Sequence, residues 1–329
     1  RMPFALAKWT TPRSGASSRS TTMAEILRLG TRTSRLAMWQ AEHVASGLRA
    51  AWPDVDVDLV PFVTKGDTTL DKPLPEIGGK GLFTAELEAS LLGGRIDLAV
   101  HSLKDLPTDD PEGVTVGAIL ERADSRDAWI CPRGHSLEDL PAGSVVGTSS
   151  TRRASQLLRL RPDLTVRSIR GNVPTRIAKV QTGDYDAAVL AVAGLARLDR
   201  MNAATEVLSL DAMLPAPGQG AIAVQIRGDD DHVCQRVVAL DHAPTRRAVE
   251  AERYLLAALG GGCSAPVAAL STQTDDHLHL RGRVLAPDGS VCIEVQEITP
   301  LDAQDPARRL GEASAASALS QGASDLLHP

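Results

Sequence analysis

Aromatic side chains make up only 3% of the 329 residues, too few for the stacking surfaces that single-stranded nucleic acid needs. A formal net charge of −6 also removes the broad basic field of a nucleic-acid binder. No run of eighteen apolar residues occurs, so no membrane-spanning helix is expected. The four cysteines, Cys131, Cys234, Cys263 and Cys292, are scattered and form no CxxC pair. A disulfide framework and a zinc site are therefore not expected, and a reduced, intracellular protein is. No second histidine stands at metal-ligand spacing from His101. The stretch GGKGLF, 78–83, has the look of a phosphate loop, but Lys80 is followed by Gly81 instead of Ser or Thr, so a nucleotide site is a weak reading. It reads better as a glycine-rich loop carrying Lys80 and Phe83.

What the chain does have is apolar content, 43% over its length, enough for the cores of two or three domains. Residues 1–24 stand apart. They hold four basic residues, eight Ser or Thr and no acid, the composition of a transit peptide, of a disordered leader, or of sequence upstream of a start at Met23. They are set aside from the fold, and the compartment follows them: cytoplasmic, or plastid stroma if they are a transit peptide.

From Glu25 onward short apolar strands alternate with helical periods. ILRLG, VDVDLVPFV, RIDLAV, SVVGT, LTVRSI and DAAVLAV read as strands. LAMWQAEHVASGLRAA, LFTAELEASLL, RRASQLLRLR and VPTRIAKVQ read as helices. That alternation argues for parallel sheets covered by helices. After Ala243 one long helix leads to Cys263, then HLHLRGRVLAPDGSVCIEVQEI reads as a hairpin turning at PDGS, and a helix ends the chain.

Two stretches occur twice. GTRTSRLA at Gly30 and GTSSTRRA at Gly147 share four of eight residues, and DLAVHSLKDL at Asp97 shares four of ten with DAAVLAVAGL at Asp186. Two matches in the same order indicate two similar α/β domains facing one another across a cleft. Their limits are 25–120 with 219–238 for the first, LPAPGQGAIAVQI returning the chain to it as an added strand, and 121–215 for the second. A smaller α+β domain, 243–329, follows.

Both repeated loops place Ser, Thr and Arg where a strand hands over to a helix, a context that favours anions. Arg32 and Ser34 occupy one; Ser149, Ser150, Arg152 and Arg153 occupy the other; RSIRGNVPTR adds Arg167, Arg170 and Arg176. An anion site is the expectation for these loop arginines, and a solvated helix face for Arg159 and Arg161. In AVHSLKDLPTD a buried strand emits His101, Ser102, Lys104 and Asp105 at its C-terminal end, where α/β sheets place ligands. In the repeat, Asp105 aligns with Gly194 and Lys104 with Ala193, so only one lobe keeps an acid–base pair. Spacing alone leaves Asp105 between catalysis and capping the turn before Pro107. Cys263 sits after three glycines and before a proline, on an irregular loop.

Together these segments resemble the hydroxymethylbilane synthase, or porphobilinogen deaminase, family of tetrapyrrole biosynthesis. The resemblance runs over GTRTSRLAMWQA, VTKGD, GGKGLFTAELE, DLAVHSLKDLPT, GTSSTRRASQL, RSIRGNVPTR, YDAAVLAVAGLARL, LPAPGQGA and GGGCSAP in that order, covering Leu27 to about Leu270, with a weaker match beyond. It implies a periplasmic-binding-protein-like pair of α/β lobes around a cleft, plus the C-terminal α+β domain. It implies a dipyrromethane cofactor held as a thioether on Cys263; Cys131, Cys234 and Cys292 read instead as buried structural cysteines. Asp105, with Lys104, is then catalytic. Arg32, Ser34, Lys80, Lys104, Ser149, Arg152, Arg153, Arg170 and Arg176 bind the cofactor, and Arg32, Phe83, Arg170, Arg176 and Arg197 the substrate porphobilinogen. No metal, nucleotide, nucleic acid or membrane is implied, and a monomer is expected. The rival reading, a two-lobed binding protein closing on an anion without turnover, explains the repeat and the arginines but not the acid–base pair on one lobe or the glycine-flanked cysteine.

Overall fold

The structure, a computed structural model, describes residues 25–64, 66, 84–262 and 265–327. The first sheet grows from β1 (Glu25–Arg32), which passes through α1 (Arg35–Ala51) into β2 (Val55–Phe62). Ser34 caps α1 by accepting from the Ala37 amide, and Ala37, Ala41, Val44, Ala45 and Leu48 form the buried stripe that sets the helix on the sheet. Then come α2 (Ala85–Leu92), β3 (Leu98–Ser102), a single 3-10 turn at Leu103–Asp105, and β4 (Val114–Ile119).

The chain then crosses to the second sheet through β5 (Asp127–Ile130), followed by β6 (Val145–Gly147), α3 (Thr151–Leu160), β7 (Thr165–Arg167), α4 (Val173–Gln181), β8 (Ala187–Ala191), α5 (Val192–Arg197) and β9 (Glu206–Val207). It returns as β10 (Ile222–Arg227) and continues into α6 (Asp231–Val237) and α7 (Ala243–Ala258). The strand orders are β2-β1-β3-β10-β4 and β7-β6-β8-β5-β9. In each sheet the first three strands are parallel and the fourth runs antiparallel to both neighbours. The fourth position is filled by a strand at a chain crossing in both cases: β5 on entering the second lobe, β10 on returning to the first.

The sequence repeat has a physical cause. Asp97 takes the Arg28 amide on Oδ2 at 2.8 Å and returns its own N–H to the Arg28 carbonyl at 2.8 Å. Asp186 does the same to Val145, at 2.8 and 2.9 Å. Arg28 and Val145 each lie two residues before the repeated glycine, so the shared aspartate locks the same strand pair in each lobe.

The third unit is an antiparallel sheet, β11 (Val267–Gln273), β12 (His277–Leu285) and β13 (Cys292–Pro300), in that order. It is packed by α7 and α8 (Pro306–Ser320), with α9 (Ala323–Leu327) after them. Ala251, Leu255, Leu278, Leu280 and Leu310 form its core. The β12–β13 hairpin turns at PDGS as the sequence indicates, with Gly289 at φ 75°. The strands β4, β5 and β11 escape a reading of apolar runs. β5 is only four residues long, begins with a charge and is nonetheless wholly buried, and alanine-rich VAALSTQ has little intrinsic strand preference.

Two sequence expectations are corrected. Arg161 is not on a solvated face: it donates to the carbonyls of Leu137, Glu138 and Leu140 at 2.9, 2.8 and 2.7 Å and pairs with Asp163, gathering a loop that strand–helix periodicity does not register. Cys234 is exposed, unlike buried Cys131, because it lies on the outer side of α6.

Candidate active site

The two lobes and the C-terminal sheet meet at the turn Gly218-Gln219-Gly220. The fully buried Glu252 of α7 accepts Arg122 Nη1 and Nη2 at 2.6 and 3.1 Å, the Gly218 amide at 2.7 Å and the Ser271 amide at 2.7 Å. Arg122, on the outbound crossing, also donates to the Gln219 carbonyl at 2.8 Å. Gly220 adopts φ 92°, and a Cβ there would stand 2.6 Å from the Ala123 carbonyl oxygen, so only glycine lets the two crossings run this close. One carboxylate thus ties both crossings to the third domain.

On this junction lies a cationic pocket. Arg152 and Arg153, in the first turn of α3, are 4% and 6% exposed and share the buried carboxylate of Asp127: Arg152 Nη2 to Oδ2 at 3.0 Å, Arg153 Nη2 to Oδ1 at 2.7 Å. Their other donors reach the Leu214 and Val189 carbonyls at 2.6 and 3.0 Å. The side chain of Gln219 donates to Asp127 Oδ1 at 2.9 Å and accepts from Lys104 Nζ at 3.1 Å. Burial alone raises the Asp127 carboxyl, but the Arg153 and Arg152 guanidiniums overrule it and hold it well below the usual carboxylate range. Burial, then the charge of Arg153, lowers Lys104 to about 8 against the opposing pull of Asp105. Three cations face one buried anion, and the Nε atoms of both arginines are buried with no hydrogen-bond partner among the described residues. Lys104, Ser150 and Arg152 line this pocket together with Ala216, Pro217, Gly262 and Ala265.

Asp105 lies next to Lys104 on the same turn but faces a second pocket, lined by Arg32, Ser34, Gln40, His101 and Ser102 of the first lobe. His101 is 5% exposed. Burial, with the nearby Arg32 charge, lowers it to about 4, so it is neutral at physiological pH. From the second lobe Arg176 approaches: burial, with Arg153 and Arg170 beside it, lowers it to about 10, and Asp105 opposes that shift. The fold therefore gathers Arg32, Ser34, Lys104, Asp105, Arg152, Arg153, Arg170 and Arg176 around one cleft.

Other candidate residues have local work. Ser149 donates to the Ile169 carbonyl at 2.8 Å and accepts its amide at 3.1 Å. Arg176 Nε holds the Gly171 carbonyl at 2.8 Å. Arg197 donates to the Gly220 carbonyl at 2.7 Å and lies 5.6 Å from the Trp39 ring centre, touching both the Gly218-Gln219-Gly220 turn and the first lobe. Lys80, Phe83 and Cys263 lie outside the described residues. Sequence reasoning missed Asp127, Gln219, Arg122 and Glu252. The available signal was weak: single polar residues within short apolar or turn segments, whose partners are 19 to 130 residues away.

The model of the porphobilinogen deaminase dipyromethane cofactor binding domain matches residues 27–235, and that of the porphobilinogen deaminase C-terminal domain matches 246–319. The chain belongs to the porphobilinogen deaminase family. It is a transferase with hydroxymethylbilane synthase activity in tetrapyrrole synthesis, acting on porphobilinogen with a dipyrromethane cofactor. The solved structures to which the chain is similar are distant. The BenM effector binding domain with benzoate is 14% identical, with 66% of this chain and 90% of that one covered, TM-score 0.42. A TRAP periplasmic solute binding protein from Desulfovibrio salexigens is 14% identical, over 66% and 72%, TM-score 0.41. The BvgS periplasmic domain of B. pertussis is 14% identical, over 65% of this chain but only 39% of that one, TM-score 0.39. The two-lobe architecture of this deaminase rests on its own strand orders. Among the described residues no helix is long and apolar enough to cross a membrane, and no group of His, Cys, Asp or Glu could hold a metal ion.

Proposed function

We propose that Cys263 carries the dipyrromethane through a thioether, that Lys104, Arg152 and Arg153 with Ser149 and Lys80 hold its carboxylates, and that Asp105 is the catalytic carboxylate. The observation that carries this reading is the charge of the pocket beside Gly262 and Ala265: Lys104, Arg152 and Arg153 gathered around the one buried carboxylate of Asp127, with exposed Asp105 beside Lys104. Two buried guanidiniums with unsatisfied Nε groups suit an anionic ligand, since carboxylates would complete their bonding. Gly260, at φ 66°, lets the chain leave α7 toward the cysteine.

When bound, the dipyrromethane supplies a tethered α-carbon on which the chain grows. Arg32 and Ser34 on one side, and Arg170 and Arg176 on the other, take the acetate and propionate of incoming porphobilinogen, with Phe83 and Arg197 as further contacts. On this reading the aminomethyl group is directed toward Asp105, which lines the same pocket as Arg32 and Ser34. The Asp105 carboxylate stabilises the positive charge that develops there as ammonia leaves, and takes the proton released when the new carbon–carbon bond restores the pyrrole. Neutral His101, buried in the pocket wall, adds no competing cation. On the same reading the enzyme is a monomer that uses neither nucleic acid nor membrane, placed in the cytoplasm, or in the plastid stroma if residues 1–24 are a transit peptide.

Intact mass after denaturation tests the anchor. Wild type carries a covalent pyrrole adduct and Cys263→Ser carries none, while alanine at Cys131, Cys234 or Cys292 leaves the adduct in place. A wild-type chain of unmodified mass that turns over porphobilinogen sinks the assignment.

A further inference from the structure

The C-terminal sheet reaches behind Arg152. Arg283 of β12, 6% exposed, donates from Nη1 to Gln156 Oε1 at 2.7 Å and from Nη2 to the Asp211 carbonyl at 3.1 Å. Glu294 on β13 balances its charge, accepting Nε at 2.7 Å. Gln156 lies one helical turn beyond Arg152 and is 1% exposed. Its Oε1 also accepts the Leu214 amide at 2.9 Å, and its Nε2 donates to the Leu214 carbonyl at 3.1 Å. That carbonyl is the one Arg152 Nη1 donates to at 2.6 Å. The hairpin turn presses on the same helix, for a Cβ on Gly289 would stand 2.5 Å from Arg159 N and 2.6 Å from the Ser155 carbonyl oxygen.

We propose that Arg283 is a positioning residue for Arg152. By fixing which way the Gln156 amide points, it fixes Leu214, and with it the carbonyl against which the Arg152 guanidinium is set. A flipped amide would turn Nε2 toward both the Arg283 guanidinium and the Leu214 N–H, three donors with no acceptor between them. The C-terminal domain, which carries the cysteine, thereby also sets the carboxylate grip in the second lobe. Neither Arg283 nor Gln156 lines either of the two pockets of the site, so the effect is indirect. The inference rests on the carboxylate-binding role proposed for Arg152.

The test uses the full chain expressed without a porphobilinogen supply, then given porphobilinogen, with covalent uptake followed by intact mass. Arg283→Leu is expected to assemble its adduct roughly 10- to 100-fold more slowly, the range that loss of supporting contacts to a binding group produces. Its KM should rise more than its kcat falls. Arg283→Lys, able to donate one bond to Gln156, should recover part of the rate, and exposed Arg159→Leu should match wild type. Uptake by Arg283→Leu at the wild-type rate overturns the inference alone. So does a defect that lysine leaves unrelieved and that tracks the fraction unfolded in the same preparation. A wild-type chain that takes up no covalent pyrrole overturns the anchor assignment and this inference with it.

Discussion

Asp127→Asn changes one atom and removes the buried carboxylate that Arg152 and Arg153 share. Asparagine keeps the shape, but its single carbonyl oxygen can accept from one guanidinium only, and its NH2 faces the other. Two ion-pair bonds, at 3.0 and 2.7 Å, are thereby reduced to one bond from a guanidinium to an uncharged acceptor, and the Gln219 donor at 2.9 Å competes for the same oxygen. A charge-assisted bond contributes about 1.5–3 kcal/mol, and stranding the partner of a buried pair costs about 3–5 kcal/mol. The two overlap, so the expected loss is about 3–5 kcal/mol. Trp129, buried two residues along β5 with Nε1 bonded to the His135 carbonyl at 3.0 Å, reports on this lobe. With a urea slope of about 2 kcal/mol/M, its fluorescence midpoint should fall by about 1.5–2.5 M. The folded Asp127 carboxyl titrates below its unfolded counterpart, so its stabilisation is present above the unfolded value near 3.9 and is lost as pH falls below it. The asparagine variant should lose that acid limb. Adding porphobilinogen should restore part of the midpoint, because a ligand carboxylate takes the vacated role. A loss under about 1 kcal/mol would show that the arginine pair does not need its counter-ion.

Asp105→Asn should fold with near-normal stability, since Asp105 is exposed and asparagine suits turns almost as well, yet lose at least roughly 10²-fold in turnover; an active variant, or a loss explained by unfolding, rules out the catalytic role. His101 titrates in the folded chain at about 4 against about 6.5 unfolded. It therefore stabilises above pH 6.5 and gives up about 3 kcal/mol as pH falls through that window; His101→Gln should flatten the midpoint of urea unfolding between pH 6.5 and 4, and an unchanged slope refutes the buried-neutral assignment.

The elements and the candidate site were partly legible for specific reasons. Strands and helices that bury one face announce themselves by period, so VPTRIAKVQ is the helix α4 at both ends, its start marked by Asn172, whose side chain accepts the Thr175 amide, and by Pro174. The lobe repeat was legible because each copy must close the same strand pair, and one aspartate does so in both. Arg161 was misread because its three carbonyl partners come from a loop that has no period.

By itself the sequence determined the alternating α/β elements, the two-fold repeat, the hairpin at PDGS and the positions of the chemistry-bearing residues, because each depends on spacing along the chain or on local capping and turn preferences. Only the tertiary structure decided that Arg152 and Arg153 share Asp127, that Gln219 joins Asp127 to Lys104, that Glu252 ties both crossings to the third domain, and that Arg283 reaches Gln156. Burying a charge is unfavourable without a partner, but nothing local says which distant residue that partner is. The choice is made when β5 and β10 enter the fourth place in their sheets and bring the two crossings and α7 to one point.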